Sequence, residues 1–327
     1  MKKDYKILIT GVAGFIGYHL ANKFNTVKNT KLIGIDNLNN YYDKKLKLKR
    51  LNKLKGQNKF KFYKTDIRNF NNLRSLFKKY KFNIVINLAA QAGVRHSLKN
   101  PQDYLSNNII WFGNILELCK KYNVRHLYYA SSSSVYGLNK KRIFSEIDNT
   151  DMPTNVYGAS KKSNELMAHA YSYLYNLPTT GLRFFTAYGP LGRPDMSLFK
   201  FVSNIKKNKK IELYNYGKHI RDFTYIDDIC IGIKKIIEKD LKNKPKKIPF
   251  KIFNIGSNKP VKLKKYVSII EKNLNKKAKI IYKKKQPGDV IATNASNKKL
   301  RNFIKYSPKT KIEKGISNYI NWFNLDE

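Results

Sequence analysis

Short, almost wholly apolar runs punctuate the first part of the chain, and between them apolar residues return every three or four positions. The runs at 5–9, 31–35, 60–63, 83–87, 126–130 and 179–184 have the length of strands buried on both faces. The stretches between them carry a helical period, the first reaching about Lys23. Strands that alternate with helices at this spacing predict a parallel, doubly wound sheet of Rossmann type. Past residue 187 the alternation loosens, and strand-like runs at 211–214, 250–254 and 278–282 mix with helical patterns at 227–237, 263–274 and 312–323. The expected organisation is an α/β domain over 1–186 and a smaller, substrate-covering α/β domain over 187–327, interleaved with the last strands of the first. The lysine-rich stretch 239–247 reads as a solvated, flexible loop.

Composition changes this picture in one respect. The 327 residues are 42% apolar, ample for a core, but 66 basic against 22 acidic residues leave a net charge of +44. Such a charge raises nucleic acid or anionic membrane as a partner. The lysines are dispersed among Asn, Ile and Tyr, however, which reads as a bias of composition, and neither nucleic acid nor membrane is expected as a partner. The field still favours anionic ligands. Cys119 and Cys230 sit in separate apolar helical patterns and read as buried thiols, so no metal site is expected. The short lead into the first strand leaves no room for a signal peptide, and no apolar run has the length of a membrane span. A reducing cytoplasm is the expected location.

The chemistry begins at the first strand's end. Gly11, Gly14 and Gly17, with Phe15 and Ile16 between the last two, form a Gly-x-x-Gly-x-x-Gly turn between strand and helix. Such a turn brings backbone amides up to a pyrophosphate. The second strand ends at Asp36, where a carboxylate accepts hydrogen bonds from ribose hydroxyls and repels a 2′-phosphate, so the implied cofactor is NAD. Asn37 is compatible with that choice. Asp66, followed by Ile67, either reaches the adenine or serves as a turn or helix-cap residue. Leu88, Ala89 and Ala90 end the fourth strand with small side chains that let a cofactor pass closely, and Gln91 and Arg95 follow in a loop that reads as facing a ligand.

Tyr157 and Lys161 stand four residues apart at the start of a helical pattern, so the phenol and the ammonium share a face. A free tyrosine titrates near 10, and making it a base at neutral pH takes about 4 kcal/mol of charge stabilisation. One lysine rarely supplies that in water; a cationic nicotinamide beside it adds to it.

Together the Gly turn, the Asn87-Leu-Ala-Ala90 segment, Ser131-Ser-Ser-Ser-Val-Tyr-Gly137 and the Tyr157/Lys161 pair resemble the extended short-chain dehydrogenase/reductases, in their NAD-dependent nucleotide-sugar epimerase and dehydratase branch. Asp36-Asn-Leu-Asn-Asn-Tyr-Tyr-Asp43, Gly192-Arg-Pro-Asp-Met196 and Gln286-Pro-Gly-Asp289 are closest to UDP-glucuronate 4-epimerases. The resemblance implies that Tyr157 takes the proton of the sugar 4-hydroxyl while hydride leaves carbon 4, that Lys161 binds the nicotinamide ribose and lowers the tyrosine pKa, and that Ser132 completes the triad. Ser133 and Ser134 stand behind Ser132 as alternatives for that third place. It further implies a UDP-sugar substrate, with Thr186, Ser133 and Arg193 around carbon 6, Arg193 facing a carboxylate or a phosphate, and Arg221 and Asp289 at the nucleotide. Arg95 is expected to matter more through its backbone loop than through its charge. Related dehydratases carry an Asp-Glu pair just after the triad hydroxyl; here those positions are Ser133 and Ser134, which favours epimerisation. The polar segment 293–296 stands where the family has an acid and is expected to open the last helix. The helices near 101–122 and 154–175 are the candidate homodimer face. Competing readings are a 4-epimerase of UDP-glucose or a UDP-N-acetylhexosamine and, from the charge alone, a polyanion-binding protein on a retired scaffold.

Overall fold

Parallel strands buried on both sides account for the continuous apolar runs. In the computed structural model, which describes residues 5–56, 59–243 and 247–326, the strands are β1 (Tyr5–Thr10), β2 (Thr30–Asp36), β3 (Phe60–Lys64), β4 (Ile84–Asn87), β5 (His126–Ser132), β6 (Thr179–Phe184), β7 (Thr186–Tyr188), β8 (Lys210–Tyr214), β9 (Ile220–Tyr225), β10 (Phe250–Ile255), β11 (Pro260–Lys262) and β12 (Lys279–Lys283). A seven-stranded parallel sheet has the order β3-β2-β1-β4-β5-β6-β10. Successive side chains of β1 serve opposite faces, as a period of two requires. Ile7 and Ile9 enter one core with Leu32, Ile84 and Ile86, while Leu8 enters the other with Ile33, Ile35 and Val85. Helices cover both faces, and the chain has the Rossmann-type α/β fold.

The strand order reverses between β1 and β4, which places a crevice beyond their carboxyl ends. Thr10 and Asn87 are register partners there, and the Thr10 hydroxyl donates to Asn87 Oδ1 at 2.6 Å. Ala89 N donates to Thr10 Oγ1 at 3.0 Å, so the two strand ends that frame the crevice are locked together.

The later part of the chain builds two small sheets and one strand of the large one. β10 pairs with β6, although β7, β8 and β9 intervene in the chain. β7 and β11 flank β9, and β8 pairs with β12. The strands β7, β9 and β11 lie outside those expected from the sequence. Two of them are three residues long, and β9 carries Arg221 and Asp222 where an apolar run would be. Asp222 is fully buried and accepts from Ser257 N (2.8 Å), Ser257 Oγ (2.7 Å), Asn258 N (2.9 Å) and Ala295 N (3.0 Å). That carboxylate therefore organises 293–296, which does not open the last helix: the next helix is Lys298–Ile304 and the last is Ile312–Asp326.

The stretch 239–247 is corrected in part. Helix Ile226–Lys242 runs through its first residues, because the buried face continues to Asp240, which binds Lys251 and accepts from Tyr128 OH at 3.0 Å. Residues 244–246 lie outside the described residues. Cys119 and Cys230 are buried free thiols. Among the described residues no helix is long and apolar enough to cross a membrane.

Candidate active site

The Gly turn is shaped by close approaches that no side chain would tolerate. Gly11 has φ +67°, and a Cβ there would stand 2.8 Å from Ala89 N; a Cβ on Gly17 would stand 2.2 Å from the Gly11 carbonyl oxygen. Helix Phe15–Asn25 starts from Gly14 with no side chain capping its first amides. Those amides and the helix dipole suit a pyrophosphate. Asp36, buried at the end of β2, receives Ala13 N at 3.1 Å and Leu38 N at 2.8 Å. Burial pushes its carboxyl above the ordinary value, with those two amides and Lys47 opposing. Asp66 accepts from Asn37 Nδ2 at 2.8 Å and Arg68 N at 2.9 Å, so it is both a turn residue and a wall of the cleft.

These residues line one cavity of about 400 Å³ with Ile67, Leu88, Ala89, Ala90, Gln91, Ser132, Ser133, Tyr157, Lys161, Thr186 and Arg193. The sequence residues placed at the Gly turn, at the reacting group and at carbon 6 are thus brought to one space. Arg95, Arg221 and Asp289 are not among its lining residues and form a second group beside it.

Tyr157 and Lys161 project from helix Val156–Tyr175, whose N-cap Asn155 accepts from Gly158 N at 2.8 Å. Gly158 permits the helix to abut the loop after β5, since a Cβ there would stand 2.6 Å from the Ser134 carbonyl oxygen. One turn beyond Lys161, Glu165 accepts from Ser131 Oγ at 2.6 Å and pairs with Arg183 through two bonds of 2.8 Å. Arg183 in turn donates to Tyr136 OH, which donates to Asn254 of β10. This buried network fixes the Tyr157 helix against β5, β6 and β10.

Lys161 is 3% exposed, and its ammonium forms no hydrogen bond or ion pair with the described residues. It lies 6.0 Å from the centre of the Tyr157 ring. Burial lowers its pKa to about 8. A buried ammonium without a protein partner is costly unless a ligand group receives its donors. Burial pushes the Tyr157 phenol up, and in the protein alone the opposing influences are the Ser132 hydroxyl and the charge of Arg193. Ser132 also caps the following turn, accepting from Ser134 N at 3.2 Å.

Arg193 is held by Asp195, with Nε donating to Oδ1 at 2.9 Å, and its guanidinium lies over the Tyr41 ring. Tyr41 OH donates to the other Asp195 oxygen at 3.2 Å. Asp195 thereby raises the Arg193 pKa against the opposing effect of burial. In the second group Arg95 stacks on Tyr214 at 4.2 Å and lies 3.9 Å from Asp289. Its side chain thus takes part in this group beside its backbone loop. Arg221 donates to the carbonyls of Ile220 and Ile291, both at 3.0 Å. His219 Nε2 is buried beside it without a protein partner.

The family model for GDP-mannose 4,6 dehydratase matches residues 8–319. The chain belongs to that family. Protein CapI of Staphylococcus aureus is 47% identical over 331 residues, spanning 97% of this chain and 98% of the relative. UDP-glucuronate 4-epimerase 4 of Arabidopsis thaliana is 42% identical, over 97% of this chain and 75% of its own length. The crystal structure of UDP-glucuronic acid 4-epimerase from Bacillus cereus, in complex with UDP-glucuronic acid and NAD, superposes with a TM-score of 0.92 at 32% identity, covering 98% of this chain and 100% of that one.

Within the dehydratase family's frame, the sequence assigns no role to two cleft residues, Lys47 and Tyr41, or to Asp195 beside the cleft. Lys47 lines the cavity and donates to Asn39 O at 2.9 Å; Tyr41 and Asp195 hold Arg193. Helix Lys44–Lys55 did carry a signal: its buried positions 47, 50, 51 and 54 form a helical stripe in which Lys47 and Arg50 replace apolar residues. Cations on the buried face of an otherwise solvated helix mark a polar contact inside the fold.

Proposed function

We propose that this protein is an NAD-dependent epimerase that inverts carbon 4 of UDP-glucuronate, giving UDP-galacturonate. The observation that carries the reading is the distribution of carboxylates in the cleft. Those lining it, Asp36 at the end of β2 and Asp66 just after β3, lie on the far side of the Gly turn from Ser132 and Tyr157. Asp195 is occupied by Arg193 and Tyr41. Elimination of water needs an additional acid and base at the sugar, and the triad is followed instead by Ser133 and Ser134. The family's name therefore does not describe the chemistry of this cleft.

The Gly turn, Asp36 and Lys161 fit NAD, which supplies a hydride acceptor and donor when bound. Lys161 offers its unpartnered donors to the nicotinamide ribose, and Asp36, Asn37 and Asp66 serve the adenosine end. Tyr157 accepts the proton of the 4-hydroxyl, and Ser132 holds that oxygen. After the 4-keto sugar turns over, Tyr157 returns the proton to the same oxygen, and since carbon 4 would regain on its opposite face the hydride it gave up, there is no net oxidation. Ser133 and Thr186 offer hydroxyls, and Arg193 a cation, to the carbon 6 carboxylate. Gln91, Arg95, Arg221 and Asp289 surround the nucleotide diphosphate. We assign the cofactor role chiefly to 1–186 and the substrate role chiefly to 187–327.

The test is to incubate the protein separately with UDP-glucuronate and UDP-glucose and to identify the products. Turnover of UDP-glucuronate is expected, and turnover of UDP-glucose alone would replace this substrate with a neutral hexose. Tyr157→Phe retains NAD and loses turnover by about a thousandfold; normal turnover in that variant would overturn the proton assignment. The buried free thiols support a reducing cytoplasm. Ile110, Leu166, Tyr173 and Leu174, all exposed on the helices near 101–122 and 154–175, support a homodimer, and sedimentation velocity measures it.

A further inference from the structure

Three successive carbonyls precede Arg193, and each is received by a side chain of the cofactor half. The Pro190 oxygen lies 2.9 Å from His19 Nε2. The Leu191 oxygen accepts from Arg50 Nε at 3.1 Å and from a terminal nitrogen at 2.7 Å, and the Gly192 oxygen lies 3.4 Å from that same nitrogen. His19 belongs to the helix that starts at the Gly turn. Arg50 is fully buried, and its other terminal nitrogen donates to the Ala13 carbonyl at 2.8 Å and to Tyr42 OH at 2.7 Å. One guanidinium thus joins the Gly turn to the loop that presents Arg193.

The loop is one that needs holding. Leu191 has φ +55°, in the left-handed region that a leucine seldom adopts, and such a conformation persists where its surroundings over-determine it. Gly192 is equally constrained, since a Cβ there would stand 2.9 Å from the Gly189 oxygen. His19 is a neutral donor at working pH, because burial lowers its pKa to about 4 against the opposing pull of Pro190, so its grip does not vary with charge. The remaining charged groups that act on it come from Arg50.

We propose that His19 and Arg50 are positioning residues that set Arg193, and through it the hexose end of the cleft, in register with the pyrophosphate turn. The inference rests on the assignment of Arg193 to the uronate end. A cofactor seated on the Gly turn then also fixes the geometry in which the sugar is read.

The test uses the full-length, NAD-loaded protein. His19→Leu removes the donor at similar size, and His19→Gln retains one. With UDP-glucuronate as substrate, His19→Leu lowers kcat/KM about tenfold, chiefly through KM, with NAD content unchanged, and His19→Gln recovers most of the loss. In an Arg193→Ala background the further effect of His19→Leu disappears, because a residue acting through Arg193 has nothing left to place. Equal loss in both backgrounds, or no loss in the single variant, overturns the proposal. Amide exchange gives a readout independent of substrate: 190–196 exchanges faster in His19→Leu while 11–17 does not. Unchanged exchange in 190–196 also overturns the proposal. A wild type that ignores UDP-glucuronate overturns the functional reading instead and leaves the exchange test standing. Arg50→Lys, which keeps the charge and cannot hold successive carbonyls, repeats the kinetic effect where it folds.

Discussion

The two sides of the cleft treat their cations differently. On the side proposed for the cofactor, Lys161 is buried with no hydrogen-bond or ion-pair partner among the described residues. On the side proposed for the substrate, Arg193 is paired with Asp195, and in the group beside the cleft Arg95 faces Asp289 and Arg221 is bound to two carbonyls. An unpaired buried charge is tolerable where a ligand is resident, since the desolvation cost is then offset almost continuously. Internally paired arginines suit a ligand that comes and goes, because they keep the site assembled between turnovers. Under the proposed assignments the contrast is the one expected between a resident cofactor and a transient substrate.

The severest way to break this contrast is to fill the pyrophosphate cradle. Gly17→Ala places a methyl group 2.2 Å from the Gly11 oxygen, and purified protein is expected to carry no NAD and to show no turnover. Next comes Lys161→Met, which removes the unpaired charge; turnover falls by about a hundredfold or more and NAD is lost on dialysis, whereas a variant that keeps both would show the ammonium to be structural. Asp195→Asn probes the opposite side. It releases Arg193 from a charge-assisted pair, and kcat/KM for UDP-glucuronate falls about tenfold while NAD content stays constant. A parallel loss of NAD would erase the distinction between the two sides.

The smallest effect is one of pH. His19 titrates near 6.5 in the unfolded chain and at about 4 in the fold. Between those values the unfolded state holds the extra proton, so stability is full above about 6.5 and declines as pH falls toward 4. His19→Gln removes part of that slope, measured by urea unfolding across the range. An identical slope in the variant would place the proton uptake elsewhere.

The cofactor side was legible because its signals are local. A glycine turn between strand and helix, an acid at the next strand's end and a Tyr/Lys pair one turn apart all declare themselves within short windows. The substrate side was legible only in part. Asp195 stands two residues from Arg193, yet its role depends on Tyr41, which stands 154 residues earlier in the chain. β9 was hidden because its polar residues are satisfied by partners distant in sequence, Asp222 by Ser257, Asn258 and Ala295. The Tyr157 hydroxyl likewise answers to groups that helical spacing does not reveal, Ser132 at the end of β5 and Arg193 on a later loop.

The late arrival of β10 in the sheet bears on how the chain is made. During synthesis β6 emerges with its outer edge unpaired, and it stays so until Phe250–Ile255 has left the ribosome. An exposed parallel edge is a template for mispairing. Until then Tyr136 also lacks Asn254, its bonding partner in the finished fold. The nascent cofactor half is therefore an incomplete sheet, and chaperone capture should peak over that interval and end once the last strand docks.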